Sequence, residues 1–117
     1  TLQGSASISA IGGISGGALQ IPSTGSRTRI TGQIQSGIVS AGSTSVWFRA
    51  QDASNNTRNQ IIATMGSTNG RNWNAHLRNG ELRIHFRTST SANNDTQVVP
   101  GIQNNTWYHL VVSYQLE

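Results

Sequence analysis

Residues 72–87 read Asn72-Trp73-Asn74-Ala75-His76-Leu77-Arg78-Asn79-Gly80-Glu81-Leu82-Arg83-Ile84-His85-Phe86-Arg87. Asn79-Gly80 is the strongest short-range hairpin signal, because a type I′ turn needs positive φ at both central residues. With that turn at the centre, Arg78 faces Glu81, Leu77 faces Leu82, His76 faces Arg83, Ala75 faces Ile84, Asn74 faces His85 and Trp73 faces Phe86. Apolar residues meet apolar ones and polar residues meet polar ones. A slip of one residue destroys that agreement, so the pattern specifies its own register. One face of the hairpin belongs to a core. The other carries Asn74, His76, Arg83, His85 and Arg87, and it is the first candidate for a ligand surface.

Composition sets the outer limits. A chain of 117 residues is expected to form one domain, residues 1–115, and to bury about two-thirds of its unfolded surface without staples. Leu116-Glu117 reads as a cloning scar. There is no cysteine, which excludes a disulfide framework and a Cys-ligated zinc. Only 10% of residues are charged, and Ser, Thr, Asn, Gly and Gln dominate, a surface composition suited to an extracellular or particle-surface module. No apolar run approaches the roughly 20 residues of a membrane span. All eight basic residues counted in the +4 net charge are arginines. They are expected as scattered, solvated strand residues, so nucleic acid is not the expected partner.

The rest of the chain reads as short strands. Ile8 and Ala10 lie in a first weak alternation. Ala18-Leu19-Gln20-Ile21 is a strand stopped by Pro22, which cannot donate to a ladder. Arg27 to Ile34 alternates, and Ile38 and Val39 sit in a Gly/Ser-punctuated segment. Ser45-Val46-Trp47-Phe48-Arg49-Ala50 is a dense strand signal, followed by a polar loop from Gln51 to Asn59. Gln60 to Met65 is a strand ending at Gly66, and Ser67 to Arg71 a turn. After the hairpin come a polar loop, Thr88 to Gln97, an edge strand Val98-Val99-Pro100, and a final strand from Trp107 to Tyr114. Many short strands without helical periodicity predict an all-β, antiparallel β-sandwich of jelly-roll type.

Three segments, in this order, resemble the laminin G-like branch of the concanavalin A-like lectin/glucanase superfamily. They are Ser45-Val46-Trp47-Phe48-Arg49, the Gln60-Ile61-Ile62-Ala63 strand with the Asn-Gly hairpin that follows it, and Trp107-Tyr108-His109-Leu110-Val111-Val112. Ala18-Leu19-Gln20-Ile21 fits the usual first strand. The resemblance implies a non-catalytic, lectin-like recognition module. It places Trp47 and Trp107 in the core and gives His109 a structural role. Tyr108 and Tyr114, on one face of the last strand, are read as open to solvent. Family members continue past the Trp-x-His strand, whereas this chain stops soon after Tyr114. Either the chain is a fragment, or the sandwich is smaller, or a second chain supplies the missing strands; the expectation is a homo-oligomer, or a chain completed by a partner, through open β-edges.

Chemistry narrows the reading further. Glucanases on this fold cluster carboxylates on one strand, and no Glu-x-Asp-x-x-Glu pattern occurs here, so no catalysis is expected. The resemblance also implies calcium. Such an ion needs six to eight oxygens, and Asp52 and Asp95 are the loop carboxylates available, with two solvated loop acids as the alternative. For carbohydrate, Asn74, His76, Arg83, His85 and Arg87 offer hydrogen bonds to hydroxyls, and their positive charge suits an acidic glycan.

Overall fold

The Asn79-Gly80 turn forms as the sequence requires. In the computed structural model φ is +54° at Asn79 and +72° at Gly80, and the flanking strands pair in the register derived above, from Arg78 opposite Glu81 to Trp73 opposite Phe86. The structure describes residues 2–3, 7–10, 13–20, 29–30, 41–66, 72–87 and 94–115. These belong to two compact units, Thr1–Gln35 and Ser36–Glu117. The strands are β1 (Leu2–Gln3), β2 (Ser7–Ser9), β3 (Ala18–Gln20), β4 (Arg29–Ile30), β5 (Ala41–Arg49), β6 (Gln60–Gly66), β7 (Asn72–Arg78), β8 (Glu81–Arg87), β9 (Asn94–Pro100) and β10 (Trp107–Gln115). All pairings are antiparallel, and no helix occurs among the described residues.

In the first unit β1 pairs with β4 and β2 pairs with β3. The expected stop at Pro22, most of the alternating segment 27–34, the segment around Ile38 and Val39, the turn 67–71, residues 88–93 and Leu116-Glu117 lie outside the described residues.

The second unit holds the four-stranded sheet β6-β7-β8-β9 and the two-stranded ribbon β10-β5. Trp73, Ala75, Leu77 and Leu82 on the sheet are buried with Phe48, Leu110 and Val112 of the ribbon. Val46, Ile84, Phe86, Tyr108 and Tyr114 pack around them. This is a β-sandwich with period-2 alternation on both inner faces. Gly42 lies opposite Tyr114, where a Cβ would come within 2.8 Å of the phenolic oxygen. Its bare backbone admits the ring, whose hydroxyl donates to Met65 Sδ at 3.5 Å.

Two strands are longer than their side chains suggest. β5 starts at Ala41, because Ala41 to Thr44 pair with β10 along its whole length. β9 starts at Asn94, in the stretch read as loop from sequence, because Asn94 to Gln97 pair with Arg87 to Ile84. Backbone pairing supplies what these polar residues lack in β-propensity.

The loops that join the layers converge on the turn. Gly80 N–H donates to Ala53 O at 2.7 Å, Asn79 N–H to Asn55 O at 2.9 Å, and Ile102 N–H to Gly80 O at 2.9 Å. Ala53 is fully buried, and its N–H donates to Asn104 Oδ1 at 2.7 Å. Asn105, itself at φ +56°, donates to Ala50 O at 2.7 Å.

In Gly80→Ala the new Cβ would lie 3.8 Å from Ile102 O, an ordinary contact. The penalty is therefore conformational, about 1–2 kcal/mol for an L-residue held left-handed. The urea midpoint should fall with an unchanged slope. An unchanged midpoint would show that the turn is not held in this conformation in solution.

Candidate functional site

The polar face of the hairpin assembles as predicted, but its side chains are largely occupied with one another. Asn74 lies opposite His85 and His76 opposite Arg83. His76 and His85 stack with ring centroids 4.9 Å apart and planes 10° from parallel. His76 Nδ1 is 3.1 Å from Asn74 Oδ1, and His85 Nδ1 is 2.8 Å from Thr96 Oγ1. Arg83 donates from Nε at 3.0 Å and from Nη2 at 2.6 Å to one oxygen of Glu81. Arg87, at the end of β8, is exposed.

His76 departs from the expectation of an exposed hydrogen-bonding group: it is only 5% exposed. β7 is a central strand, so Ile61 of β6 and Arg83 of β8 flank His76 from both sides. Its pKa is lowered from the ordinary 6.5, first by desolvation and then by the neighbouring His85, Arg83 and Arg78. The unfolded chain therefore takes up a proton that the folded chain resists. The stability this contributes is complete above pH 6.5 and is lost as pH falls below it. Urea unfolding should show a midpoint that declines from pH 7.5 to pH 5, and His76→Asn should flatten that dependence. An equally steep profile in the variant would assign the acid sensitivity elsewhere.

The backbone places the two loop acids at different points along the sheet. Asp52 O accepts from Gln60 Nε2 at 2.5 Å, and Gln60 lies opposite Leu77, near the hairpin turn. Asp95 lies opposite Phe86, which lies opposite Trp73. Four residues of strand, about 14 Å, separate Leu77 from Trp73. The Asp52 carboxylate already accepts from Ser54 Oγ and Asn55 Nδ2, both at 3.1 Å. Among the described residues no group of three His, Asp or Glu is placed to hold a metal ion.

The ribbon presents a second, stronger surface. Its outward residues are Ser43, Ser45, Trp47 and Arg49 on β5 and Trp107, His109, Val111 and Ser113 on β10. Trp47 is 47% exposed and stacks on His109 with centroids 4.5 Å apart and planes 12° from parallel. Ser45 Oγ and His109 Nε2 are 2.6 Å apart. Beside this plate the Arg49 guanidinium lies over the Trp107 ring, 5.3 Å from its centre.

A laminin G family model, described as the concanavalin A-like lectin/glucanases superfamily, matches residues 16–117. The chain belongs to this superfamily. No curated protein and no solved structure shows a significant match to it.

Two readings from the resemblance, those of Trp47 and Trp107, and two from the alternation of the last strand, those of Tyr108 and Tyr114, are corrected. Trp47 is not in the core, Trp107 is half-buried on the outward face, and Tyr108 is not open to solvent but stacks on Phe48 at 5.6 Å. Tyr114 likewise packs against the core. Both parities of β5 and β10 carry large apolar residues, so apolar content alone does not choose between faces. The polar members do. Turning Trp47 inward would also bury Arg49 and His109, and an uncompensated buried charge costs several kcal/mol, against the roughly 1.5–3 kcal/mol gained by burying a large apolar side chain. The presence of Arg49, His109, Ser45 and Ser113 on the tryptophans' parity was the signal in the sequence that located this face.

Among the described residues no helix is long and apolar enough to cross a membrane. The arginines are engaged in separate places: Arg49 over Trp107, Arg78 donating to Asn56 O at 3.1 Å, and Arg83 paired with Glu81.

Proposed function

We propose that this superfamily member is a non-catalytic carbohydrate-binding module that takes its sugar on the outward face of the β5–β10 ribbon. The observation that carries the reading is the half-exposed Trp47 braced on one ring face by His109. A sugar offers an apolar ring face and a rim of hydroxyls. An indole plate receives the first, while Ser45, His109 and Arg49 are placed to bond the second. The hairpin face supports the reading less well, since it displays no exposed indole: its Trp73 is buried. A non-catalytic role is supported by Glu81 being tied to Arg83 and Asp52 to its own loop. Placement outside the cell, or on a particle surface, is supported by the sparse charge and the laminin G kinship.

A glycan array should return a defined sugar class, unaffected by chelator. Trp47→Ala should weaken binding at least about tenfold, the equivalent of 1.4 kcal/mol, while the double variant Arg83→Ala, Arg87→Ala should bind as before. The reverse pattern would move the site to the hairpin. A blank array would withdraw the carbohydrate reading.

A second reading is favoured by one feature. Strand β9, the last of its sheet among the described residues, exposes Val98 and Val99, 48% and 47%, the arrangement through which strands of separate chains add to one another. On this reading the chain self-associates. Light scattering should give a multiple of the 12.5 kDa chain mass, reverting to one chain in Val98→Lys. A single-chain mass at high micromolar concentration would remove this reading.

A further inference from the structure

We infer that the sugar received by the ribbon is anionic, with its carboxylate or sulfate held by Arg49; this rests on the reading of the ribbon as the carbohydrate surface. Arg49 is exposed, and no carboxylate pairs with it among the described residues; the Arg83–Glu81 pair lies on the hairpin. No residue of the outward face is acidic: β5 contributes Ala41, Ser43, Ser45, Trp47 and Arg49, and β10 contributes Trp107, His109, Val111, Ser113 and Gln115. The cation is held in place. The cation–π contact with Trp107, 5.3 Å from the guanidinium carbon to the ring centre, localises the cation, and a guanidinium can make two parallel bonds to a carboxylate or sulfate.

The spacing along the strand gives the site its direction. Ser45, Trp47 and Arg49 alternate outward on β5, each about 7 Å from the next. The order is hydroxyl, aromatic plate, cation. Trp47, braced by His109, stands between Ser45 and Arg49 along the strand, so a ring against its indole has a hydroxyl on one side and the cation on the other. A hexose bearing hydroxyls on one side and an acidic substituent on the other matches that order. Trp107, opposite Arg49, provides a second aromatic surface beneath the cation, so the face extends beyond a single ring. A neutral sugar would leave Arg49 without a charged partner and gain nothing from it.

The test uses matched pairs titrated calorimetrically into the full chain: tetragalacturonate against its carboxyl-reduced neutral tetrasaccharide, and dextran sulfate against dextran. The anionic member of at least one pair should bind about tenfold more tightly or better. Arg49→Gln should bring that pair within about twofold, Arg49→Lys should recover part of the preference, and Arg87→Gln, which removes the same charge elsewhere, should leave it intact. Near-ultraviolet circular dichroism unchanged in Arg49→Gln confirms that the fold is retained. If neutral and anionic members bind equally, or if the preference survives Arg49→Gln, the inference is overturned while the carbohydrate reading stands. Binding to none of the four overturns both. Tighter binding of oligothymidylate than of any sugar, lost in Trp47→Ala, would overturn it in favour of single-stranded nucleic acid, whose bases also stack on such plates.

Discussion

The second unit depends on a two-residue constraint: Asn79 and Gly80 both occupy the left-handed region, at φ +54° and +72°. Their conformation fixes the β7–β8 register, and the register decides which side chains become core. The same two residues bind the loops on either side. Ala53 and Asn55 accept from Gly80 and Asn79, and Ile102 donates back to Gly80. The loop after β5 and the loop before β10 thus meet at one point, and the ribbon they bound is laid over the sheet. A hairpin turn is ordinarily a local device; here it also connects the layers. The Asx-type bonds of Asn55 to Thr57 and Arg58 hold the loop in the shape that presents Ala53 and Asn55 to the turn.

The two faces of the molecule differ in what they have left to offer. On the hairpin, burial and close packing of like-charged or basic groups are offset by local bonds: His76 to Asn74, His85 to Thr96, Arg83 to Glu81. Such a surface is internally satisfied, and a ligand would have to displace those partners. On the ribbon, Trp47 is half exposed and the Arg49 guanidinium has no carboxylate partner among the described residues. His109 supports Trp47 from across the strand pair, and Trp107 supports Arg49. Cross-strand pairing that stabilises the ribbon also orients the groups it displays, so little ordering remains to be done when something binds.

The parts legible in the sequence were those where a single physical preference acts alone. The hairpin is the clearest: one turn type, strict alternation, and complementary apolar letters from Trp73 to Phe86. Where preferences compete, the sequence was harder to read. Trp47 and Phe48 are adjacent and both aromatic, and family likeness pointed to the wrong one; Arg49 and His109 decide the matter only when β5 and β10 are known to be paired. Asn94 to Gln97 carry no strand signal and become strand because β8 offers them a ladder. His76 shares the parity of exposed residues yet is covered, because a central strand receives neighbours from both sides. Asp52 and Asp95 look equivalent as polar-loop acids, and only the topology places them at opposite ends of the sheet.

The three tryptophans occupy three different surroundings. Trp73 is 4% exposed, and its Nε1–H finds no partner among the described residues; Trp107 lies beneath a guanidinium; Trp47 faces solvent against an imidazole. These surroundings give the protein its own optical reporters. Emission from Trp73 is blue-shifted by its dry environment and follows the integrity of the sandwich, whereas emission from Trp47 is water-exposed and responds to whatever lands on the ribbon. Loss of packing and occupation of the outward face therefore appear at opposite ends of one spectrum, without a label.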